Sequence, residues 1–455
     1  MSIDNAEIDL LEFGERLLSK TGEGRCDQLE IFLSRETVTS AEIEKGSLKK
    51  CERLFDIGFS ARAVKEKSVG FAHSSSLEND DVREVIDEAI TLTKVMTPDP
   101  DFHSLQEPVV YPKVVKNIDK RILSIGVEDA IDMAVQVMES AAIDERIHSI
   151  NTSVDLASRE VAIVNSLGVT ANERDTFVDA SANVVSKTES DMASGFEFQG
   201  ARAIRELDLQ WIGLESARQS IRQLGSRKIS SGELPVVFGP KVTAGIIASG
   251  VASACSAENI WKKRSYLTGK FGETIGSDEI TVVDNGTLPN GIATDPFDGE
   301  GAPRTVTKIM DKGVLKSSLH NSYTARRAGV KNTGNAARGG GWDYRATPSI
   351  GYTNLILKPG KGNLDELASE VSEGILLLYT GDRPNLATGE LSAQVTVGFK
   401  IEKGDVTYPI KQATVGIKLI DLLQNMEAVG EDARQISGVI APSTRVSKAM
   451  ISGGT

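Results

Sequence analysis

Cysteine is scarce in this sequence, and the spacing of the few cysteines excludes several kinds of site. The 455 residues contain three, Cys26, Cys51 and Cys255, far apart and without a CxxC pair. A disulfide framework or a thiolate metal cluster needs more of them at closer spacing. The pattern is typical of small core residues in a reducing compartment, and we expect a cytoplasmic protein.

Histidine is also scarce, and the motifs of common catalytic centres are missing. The four histidines form no HExxH pair, and they are His73, His103, His148 and His320. The sequence has no GxSxG elbow, no GxxxxGK[ST] loop and no GxGxxG after a strand. Cys255 is predicted towards the end of an apolar helix, without a neighbouring base to activate its thiol. Taken alone, these residues indicate a protein with no visible catalytic centre.

Long apolar runs are absent, and we therefore expect no membrane contact. No stretch of 18 apolar residues occurs, which excludes a membrane-spanning helix at the sequence level. The first residues, Met1 to Glu7, are acidic and lack the basic and apolar regions of a signal peptide.

Positive charge is in deficit, since 51 basic side chains face 64 acidic ones and the net charge is −13. Nucleic-acid binding draws much of its affinity from cationic contacts to phosphates, so such a surface disfavours it. The basic clusters at 262–264 and 326–327 are short and are interpreted as solvated faces. We expect no direct nucleic-acid partner.

The length and the periodicity predict an α+β protein of three domains, at 1–112, 113–229 and 230–455. We predict two N-terminal units of a helix, four strands and a helix, and then a β-rich C-terminal domain with a few helices. An unrelated pair of meanders is the alternative to two similar units. A Pro-containing linker is expected at 97–112.

The element boundaries follow from apolar periodicity and from turn residues. In the second unit, strands are predicted at 147–156, 159–165, 169–187 and 192–199. Helices are predicted at 4–20, 80–95, 127–142, 206–223, 241–255, 363–378 and 416–428.

Ordered motifs along nearly the whole chain resemble the TldD/PmbA family, whose members are often labelled modulators of DNA gyrase. The N-terminal motifs are Glu44-Lys-Gly-Ser-Leu, Gly58-Phe-Ser-Ala-Arg, Val69-Gly-Phe-Ala and Thr97-Pro-Asp-Pro. The C-terminal motifs begin with Pro296-Phe-Asp-Gly-Glu-Gly-Ala-Pro303, Gly313-Val-Leu, Ser322-Tyr-Thr-Ala-Arg-Arg-Ala-Gly329 and Thr333-Gly-Asn335. They continue with Gly389-Glu-Leu-Ser, Phe399-Lys-Ile-Glu-Lys-Gly-Asp-Val-Thr-Tyr-Pro409 and Ala441-Pro-Ser-Thr-Arg-Val446.

The resemblance implies two kinds of subunit, and this chain is similar to the kind without a zinc motif. The TldD kind carries HExxxH on the helix after the first strand of its last domain, and a cysteine ligand near its C-terminus. The corresponding positions here are Ala248, Ser249 and Ser253, and the stretch Gln435-Ile-Ser-Gly-Val-Ile-Ala-Pro contains no cysteine. Methyl and hydroxyl groups are poor zinc ligands. The chain therefore resembles the PmbA (TldE) kind, with no cofactor of its own.

As a function, the resemblance implies a heterodimeric zinc metalloprotease that degrades or processes short or unfolded peptides. A TldD-type partner is expected to hold the zinc and the general base, while this chain helps to hold the peptide. An extended peptide adding to an exposed sheet edge gives sequence-tolerant binding. A homodimer of the chain alone is left open, and any connection with gyrase is expected to be indirect.

The polar residues of these motifs are the candidates for peptide or partner contact. They are Asp298, Glu300, Arg304, His320, Tyr323, Arg326, Thr333, Asn335 and Arg338. Structural roles in turns and surface ion pairs are the alternative for each. Two other functions remain open: a stand-alone hydrolase with a site around His320 and Glu300, and a non-enzymatic protein that binds gyrase or another partner.

Overall fold

The structure is a computed structural model that describes residues 8–21 and 24–454. The first half contains helices on a six-stranded antiparallel sheet. The helices are α1 (Leu10–Thr21), α2 (Asn79–Leu92), α3 (Lys120–Ser124), α4 (Val127–Ala141) and α5 (Leu209–Arg222). The strands are β1 (Gln28–Glu44), β2 (Ser47–Lys65), β3 (Ser68–Ser74), β4 (Ile147–Asn165), β5 (Thr170–Lys187) and β6 (Met192–Ala201).

Both predicted N-terminal units contribute to this single sheet, whose order is β3-β2-β1-β4-β5-β6. The units meet where β1 pairs with β4, from Glu30 opposite Asn165 to Glu44 opposite Asn151. In the part of the chain that the structure describes, each unit has three strands between its helices, and the prediction of four is wrong. Residues 4–7 of the first predicted helix lie outside the described residues.

The strand break that we predicted between 156 and 159 does not exist, because β4 runs through it. The polar residues there resemble a turn in the sequence, yet they pair across the sheet with β5. Arg159 lies opposite Asp175, and Glu160 lies opposite Arg174. Complementary charges across a strand pair stabilise the sheet, so polarity here marks a cross-strand contact.

The C-terminal half is β-rich, as predicted, with a few short helices. The helices are α6 (Pro240–Gly245), which continues as a π-helix over Ile246–Ala252, α7 (Ala257–Trp261), α8 (Ser322–Ala328), α9 (Leu364–Ser369) and α10 (Leu419–Gln424). The first strands are β7 (Gly232–Phe238), β8 (Val282–Asn285), β9 (Val306–Asp311), β10 (Val314–Leu315), β11 (Ala336–Arg338), β12 (Pro348–Ile350) and β13 (Leu355–Leu357). The remaining strands are β14 (Glu373–Tyr379), β15 (Glu390–Gln394), β16 (Val397–Glu402), β17 (Asp405–Pro409), β18 (Thr414–Lys418), β19 (Met426–Val429), β20 (Arg434–Ile436), β21 (Val439–Ala441) and β22 (Thr444–Ser452).

These strands form three sheets among the described residues. The largest has the order β15-β18-β22-β7-β14-β16-β17, with β19 beside β22. A second has the order β10-β9-β8-β13-β21-β20, and β11 pairs with β12 alone. The main core lies around α6 and the π-helix, where Phe238, Ile247 and Val251 are fully buried.

The predictions of helices at 363–378 and 416–428 are mostly wrong, because only six residues of each segment are helical. The segment 363–378 is helical only as α9, and its apolar end forms β14, where Ile375 pairs in parallel with Val236 of β7. The segment 416–428 contains the six-residue α10 between β18 and β19. Short apolar runs suit a buried strand as well as a helix, and the partner strand decides between them.

The predicted linker at 97–112 and the residues that follow it up to 119 pack between the two halves, and we call residues 97–119 the strap. Arg326 donates hydrogen bonds to the carbonyls of Ser104 and Leu105, and the hydroxyl of Tyr111 donates to the carbonyl of Gly301 at 3.0 Å. Further along, Lys116 Nζ lies 2.8 Å from Asp175 and 3.1 Å from Asp295. None of the described helices combines the length and apolar character that crossing a membrane requires.

Candidate functional site

Of the three positions that correspond to HExxxH, Ala248 and Ser249 lie on the π-helix and Ser253 directly follows its last residue. The backbone N–H of Ser253 donates to the carbonyl of Ala248 at 3.0 Å, five residues earlier. This bond is characteristic of a π-helix and brings residues five apart onto one face; such segments are frequent at functional sites. The Ser253 hydroxyl donates to the same carbonyl at 3.0 Å. The backbone therefore aligns positions 248 and 253 whatever their side chains are.

These side chains do not fit a zinc ion. Ala248 offers only a buried methyl group, and the Ser253 hydroxyl is occupied by the Ala248 carbonyl. The Ser249 hydroxyl accepts a hydrogen bond from Arg383 Nη1 at 2.9 Å, so a cation already lies beside it. Catalytic zinc requires imidazole, thiolate or carboxylate ligands. Across residues 8–21 and 24–454, no three His, Cys, Asp or Glu side chains are grouped to hold a metal.

Beside the π-helix lies a cavity of about 560 Å³, which we call the π-cleft. Its walls include Ala252, Ser253, Ser256, Asn259, Leu319, Ile350, Tyr352 and Gly438. Ser253 and Gly438 come from the two separate stretches in which the sequence lacks ligands, and the fold brings both to this cleft. A side chain at Gly438 would place its Cβ 3.0 Å from the Thr353 carbonyl, so glycine keeps this wall open.

One wall of the π-cleft is a free sheet edge. Ala336 of β11 directs its N–H to the Asp298 carboxylate at 2.9 Å, and its carbonyl accepts from Gly299 N–H at 2.9 Å. Both groups therefore point away from β12. In an antiparallel pair the residue opposite does the same, so Ile350 directs its N–H and carbonyl away from β11. No described residue hydrogen bonds to these Ile350 groups.

Two of the candidates, Glu300 and Arg338, form a buried cluster with Glu30 and Arg62 at the junction of the two halves. We call these four residues the quartet. Glu30 on β1 accepts from Arg62 on β2 at 2.7 Å and from Arg338 on β11 at 2.6 Å. Glu300 accepts from Arg62 at 3.1 Å and from the N–H of Ser322 at 2.9 Å. Burial alone raises the pKa of Glu300, but Arg62 and the Ser322 N–H bring that pKa below its usual value. The quartet is fully paired.

Asp298, Arg304 and Asn335 hold the backbone next to the quartet. Asp298 Oδ1 accepts from the N–H groups of Glu300 and Ala302, each at 2.9 Å. Burial, with the nearby Glu300 charge, raises the pKa of Asp298 to about 6. Arg304 donates to the Gly334 carbonyl at 2.7 Å, and Asn335 donates to Asp284 at 2.7 Å. All three side chains have partners within the chain.

The other candidates lie apart from the π-cleft. Tyr323 donates to Asp99 of the strap at 2.9 Å, and Arg326 holds the same strap. Thr333 binds the backbone of His320 through its hydroxyl, at 2.7 Å from the N–H and 3.0 Å from the carbonyl. His320 and Thr333 line a second cavity. None of the nine candidates is among the residues that line the π-cleft.

His320 and Glu300, the pair considered for a stand-alone hydrolase, do not contact each other through a hydrogen bond in the described structure. Both Glu300 oxygens are used within the quartet and by Ser322, and no hydrogen bond joins Glu300 to His320 in the described structure. Burial lowers the pKa of His320, and its Nδ1 has no hydrogen-bond partner among the described residues.

Sequence reasoning missed Ile350 and Tyr352, which line the π-cleft. Tyr352 is 39% exposed despite its size. Burial raises the pKa of its hydroxyl, opposed by the charge of Arg383. Ile350 contributes through its main chain, which leaves no mark in the side-chain pattern. The one signal in the sequence is an aromatic residue, Tyr352, shortly after Pro348.

Family models and solved structures match the chain over most of its length. Three models, described as PmbA/TldA metallopeptidase domain 1, central domain and C-terminal domain, match residues 29–93, 120–224 and 231–453. A "Metalloprotease PmbA homolog" of Haemophilus influenzae is 25% identical, covering 97% of this chain and 95% of that protein.

Two solved structures have the same fold throughout. One, from Thermotoga maritima, is described as a putative modulator of a DNA gyrase; it has a TM-score of 0.87 and 26% identity, covering 97% of this chain and 99% of that one. The other, TldE from Thermococcus kodakarensis, has a TM-score of 0.86 and 23% identity, with 98% and 99% covered.

Proposed function

Because the chain belongs to the PmbA/TldD metallopeptidase family, we propose that it is the non-catalytic subunit of a two-subunit metalloprotease for short or unfolded peptides. In this proposal a TldD-type chain in the same cytoplasm supplies the zinc and the general base. The observation that carries it is a π-helix that keeps its alignment while Ala248, Ser249 and Ser253 present no metal ligand.

The contribution of this chain is to hold the peptide backbone in the π-cleft. The free N–H and carbonyl of Ile350 offer one donor and one acceptor to an extended peptide. Main-chain pairing of this kind is indifferent to the peptide's side chains, which suits unfolded substrates. Tyr352, whose pKa is raised by burial, keeps a protonated hydroxyl at neutral pH and offers an aromatic face at the rim.

The first experiment measures metal and cleavage. We expect the purified chain to hold no stoichiometric zinc by elemental analysis and to cleave no unfolded casein. Addition of a TldD-type chain from the same organism is expected to give chelator-sensitive cleavage faster than that chain alone. Tightly bound zinc and chelator-sensitive cleavage by the isolated chain would instead establish the stand-alone hydrolase. A stable complex with another protein and none with a TldD-type chain would favour the non-enzymatic binding function.

The second experiment tests the sheet edge. Ile350→Pro removes the free N–H without removing a hydrogen bond between β11 and β12, and proline is tolerated on edge strands. We expect the mixture of the two chains to lose most of its peptide cleavage, with KM raised. Ile350→Val is the matched control, since it keeps the amide and the β-branched shape, and it is expected to behave as wild type. Unchanged cleavage by a folded Ile350→Pro chain would remove the edge from the proposal.

A further inference from the structure

A second cavity, of about 500 Å³, lies between β9 and the segments 316–320 and 330–333. We call it the lysine cavity because Lys308, Lys316 and Lys331 line it. Adjacent residues separate it from the π-cleft, since Leu319 lines the cleft and His320 lines the lysine cavity. It plays no part in the function proposed above.

The charge of this cavity is opposite to that of the molecule. No Asp or Glu is among its lining residues, although the whole chain carries a net charge of −13. Lys308 forms an exposed ion pair with Asp311 at 3.0 Å. Lys316 and Lys331 have no ion pair in the described part of the chain. A concave site lined by one sign of charge attracts ligands of the other sign.

The cavity also contains a free sheet edge. The N–H of Gly286 donates to the Thr305 carbonyl at 3.0 Å, and Asp284 of β8 lies opposite Thr307 of β9. Thr305 and Thr307 therefore direct their backbone groups towards β8. By the alternation of an antiparallel pair, the residue between them, Val306, directs its N–H and carbonyl outwards into the cavity.

The edge is open because its neighbour is short. On the cavity side, β10 pairs with β9 only at Met310 and Asp311. The backbone groups of Val306 have no hydrogen-bond partner in the structure described, and its side chain is 59% exposed. Phe271, 36% exposed, supplies a second apolar surface within the cavity.

We propose that the lysine cavity is a docking site for an extended acidic segment of a polypeptide, which adds as a strand to the edge of β9. The main chain of the segment pairs with Val306, and its carboxylates lie against Lys316 and Lys331. A free inorganic anion uses the lysines but not the edge, which separates the two ligands experimentally.

The test uses the full chain and a fluorescein-labelled peptide of alternating glutamate and valine, followed by fluorescence anisotropy. Lys316→Glu combined with Lys331→Glu is expected to weaken binding by at least about tenfold, because two attractive charges become repulsive. Lys358→Glu combined with Lys403→Glu is the matched control, since both lysines are exposed and outside the cavity. This control is expected to bind as wild type does.

Two further measurements complete the design. A peptide with glutamine in place of glutamate is expected to bind weakly, and Val306→Pro, compared with Val306→Ala, is expected to reduce binding of the acidic peptide. Equal binding by the wild type and the cavity double variant overturns the proposal. So does complete displacement of the peptide by inorganic phosphate together with no effect of Val306→Pro, which identifies a simple anion site. Neither result touches the π-cleft, which Ile350→Pro tests separately.

Discussion

Polar residues in family-like motifs proved, one by one, to be mostly interior. Glu300 and Arg338 are buried side chains that connect the C-terminal half to Glu30 and Arg62 of the N-terminal sheet. The sequence marks such residues as important but does not say whether they contact a ligand or another part of the chain. Burial decides, because a charged group inside a protein must be paired with another charged or polar group.

Glu30→Gln is predicted to destabilise the protein by about 3–5 kcal/mol, because it leaves Arg62 and Arg338 buried with too little negative charge. Urea unfolding followed by circular dichroism measures this. The control is Arg345→Ala, which breaks an ion pair with Asp56 whose two side chains are each 46% exposed. We expect less than about 1 kcal/mol there. If the two variants lose the same small free energy of unfolding, the quartet contributes little to stability.

His320 is predicted to make the stability of the protein depend on pH in the acidic range. Burial lowers the pKa of its imidazole, so the folded state keeps it neutral when the unfolded chain, with a pKa of about 6.5, takes up a proton. The unfolded state then binds more protons than the folded state. The contribution of His320 to the free energy of unfolding therefore falls as the pH drops from about 7 to below 6. The unfolding free energy of His320→Asn is expected to fall less over this range than that of the wild type. His148→Asn, at an exposed position, serves as the control and is expected to follow the wild type.

At the scale of elements, the strap between the two halves shows how composition misleads. The prolines and polar residues of the strap predict a linker, and the strap does connect the two halves. It is not a loose linker, however, because the side chain of Lys116 is buried among Asp175, Asp295 and Glu173. A lysine side chain in such a place holds the strap down more firmly than its sequence suggests.

Lys116→Met is predicted to loosen the strap and to speed cleavage by thermolysin near Val110, which is 94% exposed. The variant leaves the buried Asp295 without its ion-pair partner, while Asp175 keeps Arg159 and Arg202, and local opening then costs less free energy. Gel electrophoresis of timed digests measures the rate. Lys113→Met, an exposed position on the same strap, is expected to be cut as slowly as the wild type. Identical rates for all three proteins would contradict this view of the strap.

For the whole molecule, charge is the property that the sequence predicts most directly. We expect no shift of duplex DNA in a gel assay at about 0.15 M salt. A protein with a net charge of −13 repels the DNA phosphates and offers few of the cationic contacts that release counterions on binding. The short basic cluster at 262–264 is the place to examine if a shift occurs. A salt-sensitive shift that Lys262→Glu abolishes would overturn the expectation.

Several features followed from the sequence without the structure. The helices at 79–92, 127–141 and 209–222 lie close to their predicted ranges, because each has an apolar stripe of helical period. The β-rich C-terminal half and the family were also predicted correctly. The domain boundaries and the nine contact residues stay predictions. The loss of two zinc-ligand positions, at 248 and 253, and of the general-base position, at 249, is implied by the resemblance to the TldD kind of subunit.

Tertiary structure alone decided how these parts combine. The pairing of β1 with β4 joins segments more than a hundred residues apart, and no local pattern encodes that choice. The free edge at Ile350 and the alignment of Ala248 with Ser253 are properties of the main chain, which the side-chain pattern does not record. Composition and periodicity are local and therefore readable in sequence, whereas strand partners and the burial of charge depend on contacts that exist only once the chain has folded.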